Sequence, residues 1–106
     1  MVFNTGAALL DAIVLAVVSM DQEGTYGYKI TQDVRNVIEI SESTLYPVLR
    51  RLQKEECLEV YDLAFDGRNR RYYKITEKGR VQLNLYRGEW EAYSQKISRI
   101  FEEAHI

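Results

Sequence analysis

Two stretches of this sequence carry side chains suited to holding a polyanion. In the first, Ser43, Thr44, Tyr46, Pro47, Arg50, Arg51 and Lys54 share a segment whose apolar residues Leu45, Val48, Leu49 and Leu52 fall at i, i+3, i+4 and i+7. That spacing predicts a helix with a leucine face. The opposite face holds Ser43, Pro47, Arg50 and Lys54, with Thr44, Tyr46 and Arg51 beside them. Hydroxyls near a helix N-terminus can meet base edges, while backbone N–H groups and guanidinium forks meet phosphates. An ordinary solvated helix face would present the same residue types. In the second stretch, Arg68, Arg70 and Arg71 crowd a turn, with Tyr72 and Tyr73 just behind. Like charges that close repel unless an anion is near. Such a tip suits a phosphate backbone or a minor groove.

Catalysis finds no comparable set. A nucleophile with its base, paired acids or a metal-ligand cluster is not discernible. Cys57 is the single cysteine and His105 the single histidine, too few for a disulfide or a metal site within one chain. No enzyme, metal or cofactor is therefore expected. Cys57 reads as a small buried hydrophobe, and His105 as part of a frayed helix end.

The formal net charge of −2 argues against a nucleic-acid partner, because phosphate neutralisation supplies most of the affinity. The distribution of charge along the chain argues the other way. From Met1 to Ile40 there are two basic residues against five acidic, and from Arg50 to Arg80 nine basic against six acidic. A DNA-facing surface therefore belongs to the later stretch. A length of 106 residues with 46% apolar content allows one core, and neither a disordered tail nor a repeat is visible. The apolar run from Ala7 to Met20 is interrupted by Asp11 and lacks a preceding Lys/Arg cluster. It is too short to span a bilayer, so a buried helix in a cytoplasmic protein with no membrane partner is expected.

The elements that must position the two stretches follow from caps and periodicity. Asn4 and Thr5 are good N-caps for a first helix over that apolar run. Asp21-Gln22-Glu23-Gly24 ends it, and Thr25 can cap a second helix in which Tyr26, Ile30, Val34 and Val37 recur at helical spacing, ending near Asn36 with Val37-Ile38-Glu39-Ile40 as connector. Ser41 and Ser43 offer alternative caps for the third helix, which runs to about Glu55. Pro47 is tolerated only near a helix start, which places that start near Ser43. β-rich runs from Leu58 to Phe65 and from Arg70 to Ile75 enclose Asp66-Gly67-Arg68-Asn69, a hairpin signal. Thr76 and Glu77 then open a long helix ending near Ala104, weakened modestly by Gly79 and Gly88. The expected architecture is mainly α with a β-hairpin. A winged helix-turn-helix occupies residues 1–76, its N-terminal helix also contributing to a dimer, and a C-terminal dimerisation helix occupies residues 77–106.

Three motifs then carry a resemblance. Tyr26-Gly27-Tyr28-Lys29-Ile30, Ser43 to Leu52 and Gly67 to Gly79 closely resemble, in the right order, the motifs of PadR-type regulators. The short C-terminal region is similar to that of the compact subfamily that includes a multidrug-binding repressor. The resemblance implies a repressor that dimerises on a palindromic duplex-DNA operator and releases it on meeting an effector. It implies DNA contact through Tyr26 and Lys29, through the helix around Thr44, Tyr46 and Arg50, and through the wing from Arg68 and Asn69 to Tyr73. Three positions depart from the family pattern. Glu56 replaces the glycine that usually ends the third helix and puts that helix stop in doubt, Ser43 replaces a frequent glycine, and Asn69 replaces a frequent proline.

In the last helix Leu83, Tyr86, Trp90, Tyr93, Ile97, Ile100 and Ala104 alternate spacings of three and four. This heptad seam is built for burial against another helix, and a homodimer is the expected partner. Trp90 reads either as an interface anchor or as a stacking plate for a small aromatic or cationic effector. Asp11 reads either as a solvent-facing position or, with Ala12 next to it, as the acidic side of that effector site. A winged-helix adaptor that contacts only proteins is the alternative function, and the arginine-rich wing counts against it.

Overall fold

The computed structural model describes residues 6–105, so the expected caps Asn4 and Thr5 lie outside the described residues. Three helices come first: α1 (Ala7–Ser19), α2 (Gly27–Arg35) and α3 (Glu42–Lys54). The short strand β1 (Thr25–Tyr26) precedes α2, and the hairpin strands β2 (Leu58–Phe65) and β3 (Arg68–Ile75) follow α3. The long helix α4 (Glu77–Glu103) ends the fold. This is the expected mainly helical architecture, with a winged helix and a long C-terminal helix.

The leucine face behaves as its spacing requires. Leu45, Leu49 and Leu52 are fully buried and Val48 nearly so, against Val14, Leu15 and Val18 of α1 and Ile30 and Val34 of α2. Each such side chain contributes about 1.5–3 kcal/mol through removal from water. Leu58, Tyr73 and Ile75 close the core from the sheet side. Cys57 is buried with them, and burial pushes its thiol above the ordinary range, the setting of an inert thiol.

Four local expectations are corrected. Thr25 is not a helix cap: it lies buried in β1, opposite Tyr73, because β3 has a free edge that the preceding loop can pair with. The N-cap of α2 is Tyr26; the helix ends at Arg35 with Asn36 as C-cap, the expected end, and Val37 is not on its apolar face but 83% exposed beyond it. α3 starts one residue earlier than Ser43, with Ser41 as N-cap. Pro47 therefore sits in the second turn, where its missing N–H forfeits the helical bond to the Ser43 carbonyl. The hairpin loop is two residues long, not four. Asp66 and Gly67 both take positive φ, 53° and 79°, the conformation that matches strand twist, and Arg68 and Asn69 already pair with Phe65 and Ala64.

The helix stop that Glu56 put in doubt is retained. Glu56 adopts φ 64°, and the Cys57 N–H donates to the Leu52 carbonyl at 2.9 Å, the bond pattern of a left-handed C-cap. A non-glycine residue there costs on the order of 1 kcal/mol. Thr76 ties the same corner together, donating to the Glu56 carbonyl at 2.6 Å and accepting from the Gly79 N–H at 3.0 Å. Gly79 is needed for this approach, since a Cβ there would lie 2.2 Å from the Cys57 carbonyl oxygen.

α4 then leaves the core. Its 27 residues span about 40 Å at the helical rise, and the molecule measures 59 × 27 × 21 Å. Leu83 and Tyr86 pack against the core, whereas Trp90, Ile100 and Phe101 are 43%, 64% and 66% exposed. Among the described residues no helix is long and apolar enough to cross a membrane.

Candidate nucleic-acid interface

At the N-terminus of α3 three hydroxyls form a connected set. The Ser41 hydroxyl lies 2.9 Å from that of Ser43 and 2.9 Å from that of Thr44. Behind them Pro47, Arg50 and Lys54 are exposed along one face, as the helical period requires. Tyr46 is half-buried: its ring covers Gly27, where a Cβ would lie 3.1 Å from ring atoms. The first two sequence motifs are thus held together by a glycine that lets α2 begin under an aromatic ring.

A groove of about 730 Å³ connects α3 with the wing. Tyr26, Gly27 and Tyr28 form one wall, Tyr46 belongs to α3, and Phe65, Asp66, Arg68, Asn69, Arg70, Arg71 and Tyr73 come from the hairpin. Alternation along β3 decides which side chains meet water. Tyr73 and Ile75 face the core, so Tyr73, expected at DNA, is instead 8% exposed beneath the groove. Burial pushes its phenol above the ordinary range, with Arg71 opposing.

The wing arginines have different partners. Arg71 donates through Nε to Asp62 at 3.3 Å, an exposed pair that contributes little to stability. The Arg70 guanidinium lies 4.1 Å from the Tyr26 ring centroid and 3.9 Å from that of Phe65. Tyr72 stacks on Tyr61 at 5.4 Å and meets Tyr26 edge-on at 5.7 Å. Arg68 and Asn69 are exposed at the tip. Lys29 donates to Asp33 at 3.0 Å, which raises the pKa of its ammonium.

Two expected site residues are turned elsewhere. Arg51 is next to Arg50 in sequence but about 100° away around the helix, and it donates to Asp11. Asp11 is 5% exposed, so it is neither solvent-facing nor an unmatched acid beside Trp90. Its second oxygen accepts from the Tyr86 hydroxyl at 3.2 Å. Desolvation first, then the Asp11 charge and this bond, push Tyr86 up to about 12. The resulting Arg51–Asp11–Tyr86 set joins α3, α1 and α4.

Ala12 is half-buried beside it on α1. Trp90 lies further along α4, its ring 6.5 Å from that of Tyr93, and with Asn84, Arg87, Gly88 and Glu91 it lines a shallow hollow of about 360 Å³. Sequence reasoning passed over Tyr28, 60% exposed on the groove wall, and Phe65, the ring under Arg70. Phe65 could have been found from the hairpin register, which puts it diagonally across from Arg70, within reach of a long side chain.

Comparison with known proteins gives a consistent picture. The model of the transcriptional regulator PadR-like family matches residues 14–85. A transcriptional regulator of Mycobacterium tuberculosis is 34% identical over 73 residues, 68% of each chain. The crystal structure of a Streptococcus mutans protein superimposes with a TM-score of 0.82 at 36% identity, covering 100% of both chains. That of a PadR-like transcriptional regulator from Bacillus cereus gives 0.80 at 29% identity, covering 91% of this chain and 94% of the other.

Proposed function

This chain belongs to the PadR-like family of transcriptional regulators, which are not enzymes, and from that premise we propose that it is a repressor that grips a palindromic operator as a homodimer in the cytoplasm. Residues 1–76 bind DNA and residues 77–106 dimerise, with α1 lining the dimer contact. The observation that carries the reading is the groove in which Tyr46 of α3 and the arginines of the wing share one lining, next to an α3 face that leaves Ser43, Thr44, Arg50 and Lys54 exposed. α3 enters a major groove, where Ser43, Thr44, Tyr46 and Arg50 meet base edges, and Pro47 and Lys54 flank them. Tyr26, Lys29, Arg68, Asn69 and Arg71 hold the adjoining backbone. Arg51 serves the fold through Asp11.

Exposed Trp90, Ile100 and Phe101 support a second copy along α4, since apolar surface of that kind is normally covered. Tyr93 and Ile97 lie on the same seam. Two copies also match the two half-sites of a palindrome. The effector site sits around Trp90, in the hollow it shares with Arg87 and Glu91. A flat aromatic or cationic compound stacks there and weakens operator binding by coupling between the two sites.

Binding of duplex from the protein's own upstream region, titrated against salt, tests the reading. Replacing Arg68 and Arg71 together by alanine lowers the salt slope by about 1–2. An unchanged slope removes the wing from the contact list. Arg50→Ala costs about 1–3 kcal/mol on the operator and less on random duplex. A saturable quench of Trp90 emission by a flat aromatic cation, lost in Trp90→Ala, tests the effector site.

A further inference from the structure

The three arginines that the structure engages in and near the groove are held by different kinds of partner. Arg51 and Arg71 each donate to a carboxylate, Asp11 and Asp62. Arg70 has no such partner among the described residues. It sits on the central strand of the sheet order β1-β3-β2, and each flanking strand places one ring over its guanidinium, Tyr26 from β1 and Phe65 from β2. A guanidinium whose charge is met by ring faces, with no carboxylate taking its N–H donors, keeps those donors for another ligand. Held between two rings, it has also given up part of the rotamer freedom that it would otherwise lose on binding.

We propose that Arg70 is the base-reading residue of the wing, and that Tyr26 and Phe65 are its positioning residues. This rests on the DNA-binding reading above. A pre-oriented planar fork matches paired acceptors on a base edge better than it matches a single phosphate oxygen, which any mobile cation can serve. With α3 filling one major groove, the neighbouring hairpin lies over the adjacent minor groove. The acceptors there are the N3 and O2 atoms of A·T pairs, in the narrow, electronegative setting that attracts arginine. Arg71, whose pair with Asp62 is exposed and readily exchanged for a phosphate, contributes backbone affinity with no preference for sequence.

Selection of bound duplexes from a random-sequence library, with the parent protein and with Arg70→Lys, Phe65→Leu and Arg71→Lys, separates these roles. Lysine keeps the charge but loses the fork, and leucine keeps the apolar bulk but loses the ring face. Phe65 is 53% exposed, so its replacement leaves the core intact, as a melting curve will check. The parent is expected to select an A·T step flanking the part read by α3. Arg70→Lys and Phe65→Leu lose that preference, with affinity for the selected site down about 10-fold and affinity for unselected duplex nearly unchanged. Arg71→Lys keeps the preference. Equal losses on selected and unselected duplex in Arg70→Lys, or a preference that survives it, overturn the proposal. A flanking G·C step that depends on Arg70 overturns the groove assigned. If the parent selects nothing and binds without salt dependence, the DNA-binding reading itself has failed.

Discussion

The two halves of α4 carry one unbroken heptad pattern and lead different lives. In the first half Leu83 and Tyr86 lie on the protomer's own core, and the Tyr86 hydroxyl reaches Asp11 on α1. In the second half Trp90, Ile100 and Phe101 stand largely in solvent. The periodicity is the same because each half carries a stripe suited to burial against another helix. What differs is where the partner comes from. A seam therefore establishes that burial is needed and leaves the identity of the burying surface to the length of the rest of the fold. α4 outruns a core built by three shorter helices, and the excess is the stripe proposed for a second copy.

The sharpest way to break this comparison is to charge each half in turn. Leu83→Asp puts a carboxylate against the core, at a cost of about 3 kcal/mol or more. That is a large part of the stability of a small domain, and circular dichroism is expected to show loss of the fold. Ile97→Asp with Ile100→Asp places charges only on the projecting half. Helix content is expected to survive while sedimentation shows monomer, and operator affinity falls about 100-fold or more through loss of the linked second half-site. A stable dimer in the double variant would mean that the seam's second half is not the interface.

The next test addresses the link between the first half and α3. Asp11→Ala leaves Arg51 and Tyr86 without their shared acceptor. Breaking a buried pair costs about 3–5 kcal/mol, but the Arg51 side chain is 40% exposed, so water recovers part of this and about 2 kcal/mol is expected from urea unfolding. Asp11→Asn keeps an acceptor for Tyr86 and is expected to cost about half as much. If both variants match the parent, the set is incidental to the packing of α1, α3 and α4.

Much of this arrangement was legible in the sequence wherever one period dominated. The four apolar positions from Leu45 to Leu52 gave α3 and its buried face, Asp66-Gly67 gave the hairpin, and Thr76 gave the start of α4. The misses share a cause, which is that the deciding partner is distant in the chain. Thr25 reads as a cap until β3 supplies a strand for it to pair with. Tyr73 reads as part of a basic, aromatic tip until the two-residue turn sets the alternation that sends it inward. Asp11 reads as a surface residue because its partners lie 40 and 75 positions away. Arg50 and Arg51 look equivalent in sequence, and only a buried acid on another helix distinguishes them. For the candidate site, residue types pointed to α3 and the wing, but the partner of each arginine needed the packing and the register.

The smallest expected effect is the one that isolates a single bond within the first half. Tyr86→Phe removes the hydroxyl that Asp11 accepts and keeps the ring on the core, so at pH 8 the loss is about 1 kcal/mol. The pH dependence identifies its origin. Tyr86 is held up to about 12 in the folded chain, against about 10 when unfolded. The folded state thus keeps a proton that the unfolded state releases first. The stabilisation is complete below pH 10 and is lost as pH climbs towards 12. Partial solvent access screens the effect to about 1–2 kcal/mol across that window. The parent is therefore expected to lose stability faster than Tyr86→Phe between pH 10 and 11.5, so that the gap measured by urea unfolding narrows as the pH rises. A gap that stays constant would show that the hydroxyl is hydrated rather than bonded to Asp11, and that the first half of α4 is held to α1 by apolar packing alone.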